Sequence, residues 1–385
     1  MKYSTLLAGS AVSASAAFVH PGMLHTAEDF ERITTNVNAG NEPWLTGWYK
    51  LTNNSHAQST YTPNPEELLC RGSPASCTEN YSHMFNDAAA AYQLAIRWKV
   101  TGDEAFGTAA ANVVNAWSST LKEISGNSDK YLASGIYGYQ IANAAEILRD
   151  FDGFTDDNLA AAAAMLTDVF YPMNHRFFVE HNDAADDHYW ANWDLANMAT
   201  CLAAGILSDN QTMFDEAINY FYNGTGNGNI EKLFWIVYDD GTAQVQEAGR
   251  DQGHTMLDIG LVGAFAQMAY NQGIDLFAYL DNRILKGAEY AAKYNLGNDV
   301  QYTTYVNSDV TQDVISDAGR GNIRPIWELI YNHYVKIKGL EATYSEQYAQ
   351  LVRDDAGGAE GGGGDYGPNS GGYDQLGFGT LLYTV

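Results

Sequence analysis

A repeating alternation of helical segments and short breaks runs through this 385-residue chain from residue 84 onward. Each unit is an Ala-rich run with apolar residues at helical spacing, followed by a few polar or Gly-containing residues. Consecutive helical hairpins of this kind predict an all-α fold, an incomplete (α/α) toroid whose inner helices surround a central groove. An ordinary helical solenoid is the alternative that such repeats leave open. The predicted runs cover residues 86–99, 104–121, 137–151, 156–170, 190–207, 212–222, 252–270, 276–294, 324–338 and 344–352.

The two ends of the chain differ from this pattern. The first segment, MKYSTLLAGSAVSASAA, has one Lys, a short apolar run and then small residues, which is typical of a secretory signal peptide over residues 1–17. We therefore expect a secreted, extracellular protein with a single domain at 18–385, since no Pro/Gly/Ser-rich linker precedes residue 354. The Gly-rich stretch at 354–373 predicts a mobile C-terminal loop, followed by a strand-like segment at 377–384.

The formal charge of -27 argues against a nucleic acid or an anionic membrane as partner, because binding to either requires clustered Lys and Arg. No later segment has the run of about 18 apolar residues that a membrane span needs. A few Arg and His side chains in one cleft can still bind carboxylates locally. An acidic polysaccharide thus remains a candidate partner, and we expect a monomer.

Three cysteines and four Asn-X-Ser/Thr sequons fit an oxidising secretory route. Cys70 and Cys77 lie close together in a polar loop, which predicts a disulfide, whereas Cys201 follows an apolar helical run and is expected to be a buried free thiol. The cysteines and histidines lack the spacing of a metal site, so we expect neither metal nor cofactor. Candidate glycosylation sites are Asn53, Asn80, Asn210 and Asn223.

The densest group of reactive side chains is ADDHYWANWDLANM, residues 185–198. If the helix already includes His188, then His188 and Asn192 lie at i and i+4 on one helical face. A neutral amide near a helix N-terminus can hydrogen-bond a carboxylate, and Trp190 can pack against a sugar. Helix capping by an Asp and packing of the Trp residues is the structural alternative.

A second group is QEAGRDQGHTMLD, residues 246–258, in which Arg250 and His254 share the same i, i+4 spacing and Glu247 lies one turn earlier. Arginine can hold a carboxylate with two hydrogen bonds, and histidine can exchange a proton near neutral pH. We therefore expect Arg250 and His254 to be catalytic, with Glu247 and Gln252 in contact with substrate. A purely structural ion pair between Glu247 and Arg250 is the alternative.

Two further groups are weaker signals. In IYGYQIANAAEILR, a tyrosine such as Tyr139 can protonate a leaving oxygen and Gln140 can bind a sugar, although helical packing explains these residues equally well. In GRGNIRPIWELIYNHYV, Arg320, Arg324 and His333 can add positive charge to a groove, although solvated surface charge is an equally good account.

Six stretches, taken in order, resemble the alginate lyase family of polyuronate lyases, within the chondroitin AC/alginate lyase-like (α/α) toroid superfamily. The similarity spans nearly all of the chain after the predicted signal peptide. It implies a toroid and metal-independent elimination at 1,4-linked uronates. The stretches are FVHPGMLHTAEDFERI, GYQIANAAEILR, HYWANWDLANM, QEAGRDQGHT, RPIWELIYNHYV and GPNSGGYDQLGFGTLLY.

The match to the family pattern is incomplete at two positions. Alginate lyases of this fold carry an Asn-His pair, whereas here Asp187 precedes His188. They also carry a Tyr about two turns after the Arg, where this chain has Met256 and Leu257. The resemblance then implies that Asn192 neutralises the substrate carboxylate and that His254 takes over one proton-transfer role.

These residues predict a secreted lyase that cleaves alginate, polymannuronate or glucuronan by β-elimination. Asn192 and Arg250 are expected to stabilise the developing charge, with His188 or His254 as base and Tyr189 or Tyr139 as acid. An inverting glycoside hydrolase is the alternative enzyme, because it needs two carboxylates about 6.5 to 9.5 Å apart. A non-catalytic carbohydrate-binding protein is a third reading. The carboxylates open to the hydrolase are Asp187, Asp194, Glu247 and Asp251.

Overall fold

The computed structural model describes residues 17–74 and 76–385, which are mostly helical, so the predicted all-α fold is confirmed. Residues 1–16, almost all of the predicted signal peptide, lie outside the described residues. No helix in the described part of the chain is long and apolar enough to cross a membrane. The α-helices are α1 Ala27–Ala39, α2 Trp44–Asn53, α3 Tyr81–Thr101, α4 Glu104–Thr120, α5 Lys130–Ile147, α6 Asp156–Met165, α7 Tyr171–Glu180, α8 Ala191–Leu207, α9 Gln211–Asn223, α10 Ile230–Leu233, α11 Gln252–Asn271, α12 Tyr279–Asn295, α13 Trp327–Tyr331, α14 Thr343–Asp355 and α15 Gly379–Leu382.

The helix ends follow from local side-chain chemistry. Gly102 takes a left-handed conformation (φ 69°) and its N–H bonds to the carbonyl of Trp98, which ends α3. The side chain of Asp103 then accepts the backbone N–H of Ala105 and begins α4. The break between the predicted runs 86–99 and 104–121 is therefore a real helix boundary.

Five helices form an inner ring and run in the same direction. Gly135 of α5 packs on Ala196 of α8, and three residues later Gly138 packs on Thr200, so the two helices are parallel. A Cβ atom at either glycine would lie within 2.7 Å of its neighbour, which explains why small residues dominate these runs. Other matched pairs around the ring are Asn143 with Met268, Gly260 with Ile326, and Gly263 with Ile330.

Because the inner helices are parallel, their first turns meet at one end of the molecule, which we call the N-terminal face. This face is bordered by the starts of α3, α5, α8, α11 and α13. Three short strand pairs lie next to these starts. They are β1 Leu68–Arg71 with β2 Glu123–Gly126 (parallel), β3 Phe234–Val237 with β4 Ala243–Val245 (antiparallel), and β5 Tyr305–Val306 with β6 Thr311–Gln312 (antiparallel).

The Gly-rich C-terminal segment is packed into the ring and does not project as a loose loop. The carbonyl of Gly363 accepts hydrogen bonds from Asn54 and Gln93, and a Cβ atom at this glycine would lie 2.7 Å from Ala89. The missing side chains let the backbone approach the helices this closely. The predicted strand at 377–384 is wrong, since this stretch contains the short helix α15. A single large core cluster extends from Met23 to Leu382, and the single-domain boundary at 18–385 stays a prediction.

Candidate active site

The turn before α8 corrects one sequence-based expectation. The helix begins at Ala191, and Trp190 is its extended N-cap residue (φ -70°, ψ 157°). His188 therefore lies in the preceding turn, and the predicted i, i+4 relationship between His188 and Asn192 is wrong. The turn is held by the carbonyl of Asp187, which accepts hydrogen bonds from Asn227 and Asn307.

The same correction applies at α11. A short 3₁₀ turn covers residues 246–249, and α11 begins only at Gln252, with the extended residue Asp251 as its N-cap. Arg250 and His254 therefore do not share a helical face. They are instead brought together by the cap itself, because Asp251 lies between them and approaches both.

A buried carboxylate joins Asn192 to Arg250. Glu247 has no solvent-exposed surface. Its Oε1 accepts hydrogen bonds from the backbone N–H of Asn192 at 3.0 Å and from its side-chain amide at 2.5 Å. Its Oε2 accepts from Nη1 of Arg250 at 2.6 Å. The two residues predicted to neutralise a substrate carboxylate are therefore fixed by one and the same side chain.

Asp251 and His254 form a second pair at this site. Oδ2 of Asp251 lies 2.6 Å from Nδ1 of His254, and Oδ1 accepts the backbone N–H of the same histidine. Burial would raise the pKa of the Asp251 carboxyl, but the hydrogen bonds from His254 outweigh burial and lower it to about 2. An ionised Asp251 favours a proton on Nδ1, which leaves Nε2 as the basic nitrogen. The His254 side chain remains 37% exposed and can meet a ligand.

Aromatic residues flank this centre. The guanidinium of Arg250 lies 4.9 Å from the ring centre of Trp190, and a quarter of the Arg250 side chain is exposed. The ring of His188 meets the ring of Tyr189 edge to face at 4.8 Å, and its Nδ1 lies 3.8 Å from Asp309 of the β5–β6 turn. The hydroxyl of Tyr189 accepts a hydrogen bond from Asn182.

Sequence reasoning missed Arg71 at the end of β1. Its Nη1 donates to the hydroxyl of Tyr137 at 3.0 Å, and its guanidinium lies over the rings of Tyr81 and Tyr137. Among the described residues no carboxylate lies within ion-pairing distance of Arg71, although Asp374 and Asp129 act on it from further away. The sequence feature that could have pointed to Arg71 is its position directly after Cys70, because a disulfide loop holds neighbouring residues in fixed positions.

Three other predicted residues use their side chains in internal hydrogen bonds. Tyr139 is buried and donates its hydroxyl proton to the carbonyl of Asp374, while Gln140 donates to the carbonyl of Tyr373. Gln252 is also buried, bonded to the carbonyls of Ala248 and Ser316.

The three basic residues of the fourth group are separated from one another. Arg324 lies at the N-terminal face in an ion pair with Asp374, beside a pocket of about 230 Å³. Arg320 stacks on Tyr294 and donates to backbone carbonyls. His333 is buried and stacked at 3.7 Å on Phe277, in the segment that follows α13 and thus away from the N-terminal face.

The predicted disulfide between Cys70 and Cys77 is present, and Cys201 is the buried free thiol that the sequence predicts. Of the four sequons, Asn53 and Asn223 are exposed. Asn80 and Asn210 use their side chains in the fold, the first bonded to β1 and the second capping α9. Glycosylation at all four sites stays a prediction.

This site is identified by its reactive side chains and not by the volume of a cavity. Two pockets elsewhere, of about 510 and 360 Å³, are lined partly by outer helices and contain no histidine. Within residues 17–74 and 76–385 there is no cluster of three or more His, Cys, Asp or Glu residues that could hold a metal ion.

Comparison with known proteins gives a family match and a fold match. The family model described as "Alginate lyase" matches residues 48–301. An alginate lyase from Bacteroides ovatus superposes with a TM-score of 0.59 at 14% identity, covering 86% of this chain and 96% of that one. Alginate lyase A1-III from Sphingomonas species A1 gives 0.57 at 14% identity, covering 82% and 88%. A variant of A1-III, complexed with a tetrasaccharide, gives 0.55 at 14%, covering 80% and 86%. No curated protein sequence matches significantly.

Proposed function

The chain belongs to the alginate lyase family and is a polysaccharide lyase, and from this premise we propose that it cleaves a 1,4-linked uronate polymer by metal-independent β-elimination. The proposed substrates are alginate, polymannuronate and glucuronan. One observation carries the proposal: an amide, a guanidinium and a histidine–carboxylate pair are linked by hydrogen bonds and ion pairs at the N-terminal face.

The first chemical task is to reduce the charge on the C6 carboxylate of the sugar. While this group is a full anion, loss of the C5 proton would place a second negative charge beside it. Arg250, a quarter exposed and oriented by Glu247, is our candidate for binding this carboxylate. Asn192 is buried, and the amide N–H that Glu247 does not accept is our candidate for completing the donor set. Arg71, which forms no ion pair with a carboxylate of the described residues, is our candidate for the carboxylate of a neighbouring sugar.

We assign the base to His254. Asp251 holds Nδ1, so Nε2 can accept the C5 proton, and the negative charge of Asp251 stabilises the imidazolium that forms. His188 has only a longer contact, 3.8 Å to an exposed carboxylate, and is therefore less firmly oriented.

We assign the acid to Tyr189. Its hydroxyl accepts a hydrogen bond from Asn182, and among the described residues no acceptor takes its own proton, which is free to go to O4 of the leaving sugar. Tyr139 already gives its proton to a backbone carbonyl. In the complete step His254 takes the C5 proton, the C4–O4 bond breaks, a C4–C5 double bond forms, and Tyr189 protonates O4.

The hydrolase alternative receives less support. Two of its four candidate carboxylates, Asp194 and Glu247, are fully buried and bonded to protein donors. A carboxyl group that protonates a glycosidic oxygen has to reach the substrate.

Secretion and a monomeric state are further parts of the proposal. The Cys70–Cys77 disulfide supports an oxidising compartment. N-terminal sequencing of the mature protein from culture medium tests cleavage near residue 17, and light scattering tests the monomer. Recovery of the protein only inside cells, or as a dimer, would contradict these points.

The deciding experiment is a panel of purified mannuronan, guluronan, glucuronan and neutral glycans, with ultraviolet absorbance and product masses as readouts. A lyase gives unsaturated uronate ends that absorb, whereas a hydrolase gives products heavier by one water that do not absorb. Cleavage without absorbance would favour the hydrolase, and no cleavage of any polyuronate would refute the proposed substrate class.

A further inference from the structure

Two fully buried carboxyl groups lie next to each other beneath the site. Glu247 and Asp258 both have no exposed surface, and they come from the 3₁₀ turn before α11 and from the second turn of α11 itself. Two ionised carboxylates in such a dry position would repel each other strongly. The pair is therefore expected to hold one proton between them.

Hydrogen bonds show which member carries the charge. Glu247 accepts three bonds, two from Asn192 and one from Arg250, and the last comes from a cation. Asp258 receives none from any other described group, and its side chain lies against Glu247. Burial, and then the neighbouring charge of Glu247, raises the pKa of Asp258 well above its usual value. A neutral Asp258 can donate its proton to Glu247.

We propose that Glu247 is the ionised positioning residue of this active site and that Asp258 is a neutral acid supporting it from below. Glu247 cannot touch the substrate, because Asn192, Arg250 and the core enclose it. It acts by holding the amide of Asn192 and the guanidinium of Arg250 in one orientation toward the sugar carboxylate. This inference rests on the proposed function and explains how the two donors of that mechanism stay aligned.

The inference predicts that replacing each buried carboxyl group by its amide has different effects on kcat. Asp258→Asn keeps a neutral hydrogen-bond donor beside Glu247, so we expect kcat within about twofold of the wild type. Glu247→Gln removes the charge facing Arg250 and places an amide donor opposite the donors of Asn192. We expect kcat to fall by about 10²-fold with a smaller change in KM, as is typical when the support of a catalytic group is lost.

The test measures kcat, KM and thermal unfolding for the wild type, E247Q, D258N, R250A and the double variant E247Q/R250A, on the polyuronate that the wild type cleaves fastest. If Glu247 acts largely through Arg250, the double variant is hardly slower than R250A. Wild-type kcat in E247Q, or an equal loss of kcat in D258N, overturns the inference.

Infrared spectroscopy tests the protonation of Asp258 without an enzymatic assay. The wild-type-minus-D258N difference should contain the C=O stretch of a protonated carboxylic acid, and its absence overturns the inference even if E247Q does not fold. Failure of the proposed function is distinguishable, because then the wild type itself cleaves no polyuronate, whereas the infrared result stands alone.

Discussion

His254 bonds to both oxygens of the Asp251 carboxylate: its imidazole Nδ1 lies 2.6 Å from Oδ2, and its backbone N–H donates to Oδ1. The same aspartate begins α11 as its N-cap residue. The residue that starts the helix therefore also selects the tautomer of the proposed base. Local folding and proton transfer consequently depend on one side chain.

Replacing the base should abolish most turnover while leaving the fold intact. We expect His254→Ala to lower kcat by about 10² to 10⁴-fold, since a general base contributes that much. His175→Ala is the matched control, because this exposed histidine also pairs with a carboxylate but lies on α7. Steady-state absorbance assays with circular dichroism check both variants, and full activity of H254A would remove the assignment.

The low pKa of Asp251 predicts an acid-dependent contribution to stability. Since the folded pKa of about 2 lies below the reference value of 3.8, the stabilisation is complete above pH 3.8 and is lost as the pH falls toward 2. Asp251→Asn keeps an N-cap side chain but removes the charge. We expect it to cost about 1 kcal/mol of unfolding free energy at neutral pH, after allowance for solvent screening. Denaturant melts should show the gap closing near pH 2, and a constant gap would contradict the prediction.

Arg250 and Asn192 should be indispensable for turnover. Arg250→Ala and Asn192→Ala each remove a donor to the developing charge, which typically costs about 10² to 10³-fold in kcat. Arg250→Lys should rescue little, because an ammonium cannot reproduce the planar donor geometry. Arg176→Ala removes an exposed ion pair with Glu180 and serves as the control. Wild-type rates in R250A or N192A would contradict their roles.

Arg71 should act on binding more than on chemistry. Arg71→Ala is expected to raise KM about tenfold, equivalent to about 1.4 kcal/mol, with kcat changed less. Arg320→Ala is the control, since Arg320 also lies over a tyrosine ring but donates to backbone carbonyls. An unchanged KM in R71A, or an equal rise in R320A, would show that Arg71 is only a structural residue.

Replacing the two candidate acids should have different effects, one on kcat and the other on stability. Tyr189→Phe removes the proposed proton donor and should lower kcat by about 10²-fold with little effect on stability. Tyr139→Phe loses a buried hydrogen bond to Asp374 and should lower the unfolding free energy by about 1 kcal/mol, with kcat retained. Kinetics and thermal melts on both variants check this, and the opposite pattern would reverse the assignment.

The helical fold could be predicted because Ala-rich periodicity is a strong local signal. All ten predicted runs overlap a helix, and most ends agree within about five residues, but α5 begins at Lys130 and α13 ends at Tyr331, where the pattern predicts 137 and 338. Helix α1 was overlooked because it is not Ala-rich, although Thr26 caps it and Phe30 and Ile33 form its buried face. The Gly-rich segment was misjudged because glycine indicates flexibility in isolation but permits close packing when a partner surface is present.

The residues of the candidate site could be predicted from the sequence, but their geometry could not. The motifs correctly grouped Glu247 with Arg250, but the i, i+4 spacing assumed helix where the chain forms capping turns. Helix starts are the least certain part of any reading from periodicity. Arg71 was missed because its partners come from α3 and α5, and such long-range contacts leave no trace in the local pattern.

The shared direction of the inner helices has an electrostatic consequence. Each long inner helix, α3, α5, α8 and α11, directs the positive end of its peptide dipole, equivalent to about half a unit charge, to the same side of the ring. Close to these first turns the partial charges favour a negatively charged group, although the formal charge of the whole protein is -27. Because this contribution comes from backbone N–H groups, it does not depend on the ionisation of Arg250 or His254, and it would act on the carboxylates of the proposed substrate only within about one helical turn.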